Sequence, residues 1–217
     1  MTAGRDKSLA YAADAVRYIT EWLELNAQHV ADIVVGPKRE EWFNAESIVA
    51  LWRHSDLDTF VVFGEQNYRE ALKETPFAAM LDPTHNLKIP DVVAFSPSGE
   101  KYDVPFIIEA KVLYRTEAKS DRKASVTKLR EQVLRARQVS PSTTAIGLVY
   151  LISLVTGVDV SPQPFFREVQ SLIEEVFSDQ TVSWLREPTV LKGLQLRSTS
   201  FAYPASTVSV GLTAFSI

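Results

Sequence analysis

Two apolar runs rich in β-branched residues, residues 88–95 and 105–113, constrain the fold of this 217-residue chain more than any other stretch. Runs of this kind favour β-strands. The stretch between them, residues 96–101, reads Ser-Pro-Ser-Gly-Glu-Lys and has the composition of a turn. The sequence therefore predicts a β-hairpin near the middle of the chain.

Charged side chains interrupt the two strands of this predicted hairpin. Glu109 and Lys111 stand two residues apart in an otherwise apolar run, so a strand would point both to the same face. Asp91 opens the preceding strand directly after Pro90, a residue type that sheets accept at edges and strand starts. Because a buried charge is costly unless it is paired or holds a metal ion, these side chains predict a site at one edge of the hairpin.

The dipeptide Pro90-Asp91 and the tripeptide Glu109-Ala110-Lys111 resemble the signature of the PD-(D/E)xK nuclease superfamily, whose fold many restriction endonucleases share. The resemblance covers about residues 39–154. It implies an α/β fold, restriction endonuclease-like, with a mixed central β-sheet flanked by helices. It also implies a Mg²⁺-dependent endonuclease that hydrolyses phosphodiester bonds in DNA.

The same resemblance assigns roles to the residues of the motif. The carboxylates of Asp91 and Glu109 and the carbonyl of Ala110 would bind Mg²⁺, or Mn²⁺ in its place, and Mg²⁺ prefers such oxygen ligands. Lys111 would position or activate the attacking water, or stabilise the charge that develops on the phosphate. The alternative is that Asp91 is a strand-start residue and that Glu109 and Lys111 form a surface pair.

A helix ahead of the first core strand often supplies a further acidic residue in this superfamily. Residues 39–54 are predicted to form that helix, and they contain three glutamates, Glu40, Glu41 and Glu46. Glu46 follows Ala45 and lies two residues before Ile48, so it is the glutamate that we expect in the catalytic site. The alternative is a solvated glutamate on the helix surface.

A basic segment follows the motif in an otherwise acidic chain, whose net charge is −4. A phosphate-contacting surface beside the site is one interpretation, and a solvated helix whose basic carboxyl-terminal half complements the helix dipole is the other. The candidate nucleic-acid-binding residues are Lys119, Arg122, Lys123, Lys128, Gln132 and Arg135.

The remaining pattern predicts a single domain with a core at about residues 39–180, a helical amino-terminal addition and a β-rich carboxyl-terminal addition at 181–217. Further strands are predicted at 59–68 and 145–154, and further helices at 6–28, 69–80, 124–139 and 165–177.

Several functional classes lack support in the sequence. The chain contains no cysteine, which excludes disulfides, Cys-ligated zinc and thiol nucleophiles. Its first residues lack the pattern of a secretory signal, so a cytoplasmic location is expected. We expect DNA rather than RNA as substrate, and a homodimer if the substrate is a duplex. A non-catalytic nucleic-acid-binding or protein-interaction module on the same fold stays open.

Overall fold

The computed structural model of the chain describes residues 2–34, 39–54, 61–64, 67–73, 75, 89–98, 101–156, 161–198 and 206–217. These residues form six helices and seven strands. The helices are α1 (Thr2–Leu25), α2 (Ala27–Val34), α3 (Arg39–His54), α4 (Tyr68–Leu72), α5 (Lys119–Arg137) and α6 (Gln163–Val176). The strands are β1 (Val61–Gly64), β2 (Val92–Ser98), β3 (Lys101–Asp103), β4 (Phe106–Tyr114), β5 (Thr144–Thr156), β6 (Ser183–Ser198) and β7 (Ser206–Ser216).

One mixed sheet organises these strands. Six of them lie side by side in the order β1-β2-β4-β5-β7-β6, and β3 pairs with the end of β2. The pair of β4 and β5 is parallel, and the other described pairs are antiparallel. The predicted class, a mixed sheet flanked by helices, is confirmed.

The sheet separates two apolar cores. On one face, residues of α1, α2 and α3 pack against alternate residues of β4, among them Ile108 and Ala110. On the other face, residues of α4, α5 and α6 pack against the intervening residues, among them Ile107 and Leu113. Both faces of β4 and β5 are therefore covered, which explains why these strands read as near-continuous apolar runs in the sequence.

The carboxyl-terminal strands belong to the same sheet as the motif strands. β7 pairs with β5 along eleven residues, and β6 forms the outer strand beyond it. The predicted β-rich addition is thus confirmed as an extension of the central sheet.

One edge of β4 is only partly paired. β5 accompanies β4 from Phe106 to Tyr114 on one side. On the other side β2 pairs only with Ile107 and Ile108, because its first residue, Val92, lies opposite Ile108. Among the described residues no strand pairs with β4 beyond this point, so its backbone from Ala110 onward presents hydrogen-bonding groups at an open edge.

Several boundaries differ from the sequence prediction. The predicted helix at 6–28 begins at Thr2 and ends at Leu25, and a second helix, α2, follows directly. The helix predicted at 124–139 begins five residues earlier, at Lys119, because its polar first turns are fixed by contacts of Arg122 described below. Of the predicted elements at 59–68 and 69–80, the structure describes β1 and α4, and residues 59–60, 65–66, 74 and 76–80 lie outside the described residues.

A glycine in β5 tests this packing. A Cβ atom built on Gly147 would lie 2.7 Å from Cε1 of the buried Phe215 ring, closer than atoms pack. We expect Gly147→Ala to lower the free energy of unfolding by about 1–3 kcal/mol, measured by urea denaturation. Phe215→Leu in the same chain should recover part of that loss, and a purely additive double variant would contradict the packing explanation.

Candidate active site

Asp91 is the residue directly before β2, and its side chain extends the hydrogen bonding between β2 and β4 by one position. Its Oδ2 atom accepts a hydrogen bond of 2.7 Å from the Ala110 backbone N–H at the open edge of β4. Its Oδ1 atom accepts a second bond of 2.8 Å from Asn44 Nδ2 on α3. The carboxylate therefore replaces the backbone partner that Ala110 lacks, and both of its oxygens are fixed by neutral donors.

Glu109 lies on the face of the sheet that α4 and α5 cover, and it is almost fully buried, with 1% of its surface exposed. The hydroxyl of Tyr68, the first residue of α4, donates to Glu109 Oε1 at 2.6 Å. Gln132 Nε2 on α5 donates to Glu109 Oε2 at 3.0 Å. Two helices thus orient this carboxylate without supplying a positive charge in direct contact.

Lys111 reaches around the open edge of β4. Its side chain is 8% exposed, and its ammonium donates to Glu40 Oε1 on α3 at 2.7 Å. The same Nζ atom donates to the Ala110 carbonyl at 2.8 Å. The geometry thus places a buried lysine beside the motif carboxylates and gives it one carboxylate partner of its own.

Burial of two carboxylates near one another disfavours their ionised forms. Burial raises the pKa of Glu109 to about 8, and the charge of Asp91 adds to that shift. Burial also raises the pKa of Asp91, against the lowering effect of the Ala110 N–H. The opposing charges of Lys111 and Arg135 act on Glu109 without cancelling the shift. The site is therefore short of positive charge when both carboxylates are ionised.

The donor atoms at this edge are of the kind that a hard divalent cation takes. Mg²⁺ is usually bound by one or two carboxylates together with water and substrate oxygens. Asp91, Glu109 and the Ala110 carbonyl would hold it, and its charge would offset that of the buried pair. Within the described residues no group of three or more His, Cys, Asp and Glu side chains could hold a metal, so this donor set contains two carboxylates and not three.

Among the described residues Glu46 makes no direct contact with this group, so the contacts do not support the expectation that it joins the site. Its Oε2 atom accepts a hydrogen bond of 2.6 Å from Trp22 Nε1, and its Oε1 lies 3.7 Å from His29 Nε2. Glu46 is six residues from Glu40, which places the two on different sides of α3. Glu40 approaches Lys111 instead, and Glu41 is exposed.

A polar stripe on α3 could have indicated this arrangement. Glu40, Asn44 and Ser47 recur at spacings of four and three, which places them on one face of the helix. Asn44 contacts Asp91, and the buried Ser47 hydroxyl hydrogen-bonds to the hydroxyl of Tyr150 on β5. Sequence reasoning missed Asn44 and also Tyr68, for which no comparable periodic signal exists.

The basic residues of α5 divide between two flanks of the helix. One flank, here called the α6 flank, carries Lys123, Arg130 and Arg137 at seven-residue intervals, and each contacts α6 or the turn that follows it. The nitrogen–oxygen distances are 2.6 Å for Lys123–Glu175, 2.6 Å for Arg130–Asp179 and 3.2 Å for Arg137–Gln180. The charge of Lys119 also acts on Glu175, which assigns Lys119 to the same side.

The opposite flank of α5 faces the candidate site. Gln132 contacts Glu109 there, and Lys128 and Arg135 lie four residues before and three residues after it. Residues at these spacings share one helix face. We call Lys128, Gln132 and Arg135 the site flank.

Arg122 belongs to neither flank, and its contacts do not support the expectation that it binds nucleic acid. It is 6% exposed, and its Nη2 atom donates to Glu168 Oε1 on α6 at 2.7 Å. Its Nη1 atom donates to the carbonyls of Tyr114, Arg115 and Glu117. Arg122 therefore fixes the turn between β4 and α5, and a phosphate could reach it only by breaking these contacts.

Comparisons of the chain with protein-family models, curated proteins and solved structures find no match. Within the described residues, none of the helices combines the length and apolar character needed to cross a bilayer.

The buried Glu109 predicts a specific dependence of stability on pH. Its pKa is about 8 in the folded chain and about 4.5 when exposed, so folding favours the protonated form. In metal-free buffer the resulting stability is complete below pH 4.5 and is lost as pH rises toward 8. We expect the free energy of unfolding to fall by about 3 kcal/mol between pH 5 and pH 8, relative to a Glu109→Gln variant.

The Glu109→Gln variant is a suitable reference because the site can accommodate a neutral amide. Tyr68 can still donate to the retained carbonyl oxygen. Gln132 Oε1 is buried without a hydrogen-bond partner among the described residues, so a flipped Gln132 amide can accept from the new NH₂ group. Parallel stability profiles of the two proteins in urea titrations at several pH values would contradict the charge arrangement described above.

Proposed function

We propose that this protein is a metal-dependent nuclease that hydrolyses phosphodiester bonds in DNA with Mg²⁺, or Mn²⁺ in its place. The observation that carries the proposal is the convergence of Asp91, Glu109, Lys111 and the Ala110 carbonyl at the open edge of β4. The order of elements gives further support. The segment from α3 to α6 reads helix, three strands of the sheet (β1, β2 and β4), a helix, a strand and a helix, apart from the short α4 and β3.

The carboxylates are prepared to bind a cation by the residues around them. Asn44 and the Ala110 N–H fix Asp91, and Tyr68 and Gln132 fix Glu109. When bound, a divalent ion lowers the pKa of a water molecule and polarises the phosphate. The neutral donors around the carboxylates orient their oxygens without cancelling the negative charge that attracts the ion.

Lys111 supplies the positive charge that acts on the substrate. A lysine ammonium is a compact cation with three donors. Glu40 occupies one of them, and a cation bound at the Ala110 carbonyl would release the second, which donates to that oxygen in this structure. The third can donate to the attacking water or to a non-bridging phosphate oxygen as charge develops there. Burial of the side chain keeps the ammonium in place and strengthens this interaction.

The proposal extends to partners and location. DNA is the substrate rather than RNA, and a duplex substrate favours a homodimer, because two-fold symmetry supplies one active site for each strand. The enzyme acts in the cytoplasm, in restriction or defence against foreign DNA, or in DNA repair.

The test is cleavage of supercoiled plasmid by the purified protein with Mg²⁺ and with EDTA. We expect nicked or linear DNA with Mg²⁺ alone, and Glu109→Ala should reduce cleavage to the level seen in EDTA because it removes a metal ligand. The products are separated on agarose gels, and single-stranded DNA and RNA are assayed in parallel. Inactivity on all three substrates would overturn the nuclease proposal.

Glu46→Ala provides a matched control. It removes the same type of side chain from a partly buried position, but Glu46 contacts Trp22 and His29 and not the motif residues. It should therefore retain metal-dependent cleavage. Equal cleavage by the wild-type protein and by Glu109→Ala would show that Glu109 is not an active-site residue, whatever the activity of the control.

One observation favours a second candidate, a non-catalytic nucleic-acid-binding or protein-interaction module. Each oxygen of Asp91 and Glu109 already accepts a hydrogen bond from the protein, and Lys111 is paired with Glu40. The cluster is therefore also complete as a structural network without an ion. In this second candidate the carboxylates stabilise the packing of α3 and α4 against β4.

Calorimetric titration with Mg²⁺ and Mn²⁺ separates the two candidates. The nuclease proposal expects saturable binding by the wild-type protein, and weaker binding by Asp91→Asn because a neutral amide is a poorer metal ligand. If the protein is a non-catalytic module, we expect no heat of binding from either ion and a loss of thermal stability in Asp91→Asn.

A further inference from the structure

We propose that the site flank of α5, formed by Lys128, Gln132 and Arg135, binds the sugar–phosphate backbone of the DNA strand that enters the candidate active site. This inference rests on the proposed function and adds to it the surface on which the substrate lies. It also selects two cations of the basic segment, because Arg122, Lys123, Arg130 and Arg137 of α5 contact other residues of the protein.

The cations of the α6 flank are engaged within the protein. Lys123 and Arg130 each lie 2.6 Å from a carboxylate oxygen, of Glu175 and Asp179 respectively. A phosphate at this flank would have to compete with these pairs and approach two negative charges. Lys123 and Arg130 are therefore less available to a polyanion than cations without a carboxylate partner.

The cations of the site flank have no comparable partner. Among the described residues no carboxylate lies within 4.0 Å of the Lys128 ammonium or the Arg135 guanidinium. Lys128 is exposed and Arg135 is half-buried. Phosphates are the anions that such cations contact in protein–DNA complexes.

The spacing of these cations suits a single strand of a nucleic acid backbone. Lys128 and Arg135 are seven residues apart, which corresponds to about 10 Å along a helix that rises about 1.5 Å per residue. Successive phosphates of one DNA strand advance about 3.4 Å along the duplex axis and also wind around it, so side chains about 10 Å apart can reach two different phosphates of the same strand. The two side chains can therefore contact phosphates on either side of the nucleotides beside Gln132.

Gln132 connects this surface to the motif residues. Its Nε2 atom donates to Glu109 Oε2 at 3.0 Å, so the midpoint of the flank lies against a motif carboxylate. Its Oε1 atom is a buried acceptor without a partner among the described residues. A strand bound to Lys128 and Arg135 would pass this point, where a base amino group or a bridging water can donate to this oxygen once the side chain turns outward.

The experiment measures binding apart from cleavage. The full-length protein is titrated into a fluorescein-labelled 20-base-pair DNA duplex in EDTA, and anisotropy gives Kd at several salt concentrations. We expect Lys128→Ala and Arg135→Ala each to weaken binding about 5–10-fold. Each should also reduce the slope of log Kd against log salt by about 0.9, the value for one lost phosphate contact.

Lys123→Ala and Arg130→Ala are matched controls, because they remove the same charges from the other flank of the same helix. Their Kd should lie within about two-fold of the wild-type value. Arg135→Lys keeps the charge at the half-buried position and should restore most of the binding, which separates loss of a phosphate contact from loss of folding. Equal effects of the substitutions on the two flanks, or no effect of either, would overturn the inference.

The outcomes also separate this inference from the proposed function. Binding that depends on the site flank, with no cleavage of plasmid in Mg²⁺, would support the surface and reject the nuclease. Metal-dependent cleavage with binding unaffected by Lys128→Ala and Arg135→Ala would support the nuclease and reject the surface.

Discussion

The hydrogen bond from the Ala110 N–H to the Asp91 carboxylate joins the parts of the candidate site. β2 begins opposite Ile108, and no strand of the described residues pairs with the next stretch of β4 on that side, so its amide needs another partner. Asp91 supplies that partner from the residue immediately before the strand. The same geometry leaves the Ala110 carbonyl at the open edge, where the Lys111 ammonium reaches it. The short pairing of two strands thus brings two acidic residues and a lysine to one place.

The environment of the two carboxylates combines strong orientation with weak charge compensation. Their direct partners are Asn44, Tyr68, Gln132 and a backbone amide, all of them neutral. Neutral donors satisfy the hydrogen-bonding needs of a buried carboxylate but repay only part of the cost of burying its charge. The raised pKa of both groups expresses that deficit. A structural salt-bridge network would show the opposite, with a cation against each acid.

The strand pattern made much of the fold and part of the site predictable. Glu109 and Lys111 share a face because strand side chains alternate, a local rule that needs no tertiary information. The expectation for Glu46 rested on neighbouring residues in the sequence, whereas helical spacing sets Glu40 and Asn44 on the face that contacts the motif residues. Arg122 could not be distinguished from the other basic residues of its segment. Its burial depends on Glu168 and on carbonyls of a turn, partners that packing alone brings together.

The Ala110 carbonyl limits how the site can be occupied. In this structure it accepts from the Lys111 ammonium at 2.8 Å, while Glu40 holds that ammonium at 2.7 Å from a second direction. A divalent ion on the same carbonyl oxygen would repel the ammonium at such a distance, so the two cations cannot share it. Because Glu40 is anchored on α3 and not on β4, it can retain Lys111 when the carbonyl is given up. The ion pair between Glu40 and Lys111 therefore keeps the lysine beside the motif carboxylates in either arrangement, and a glutamine in place of Glu40 would hold it less firmly.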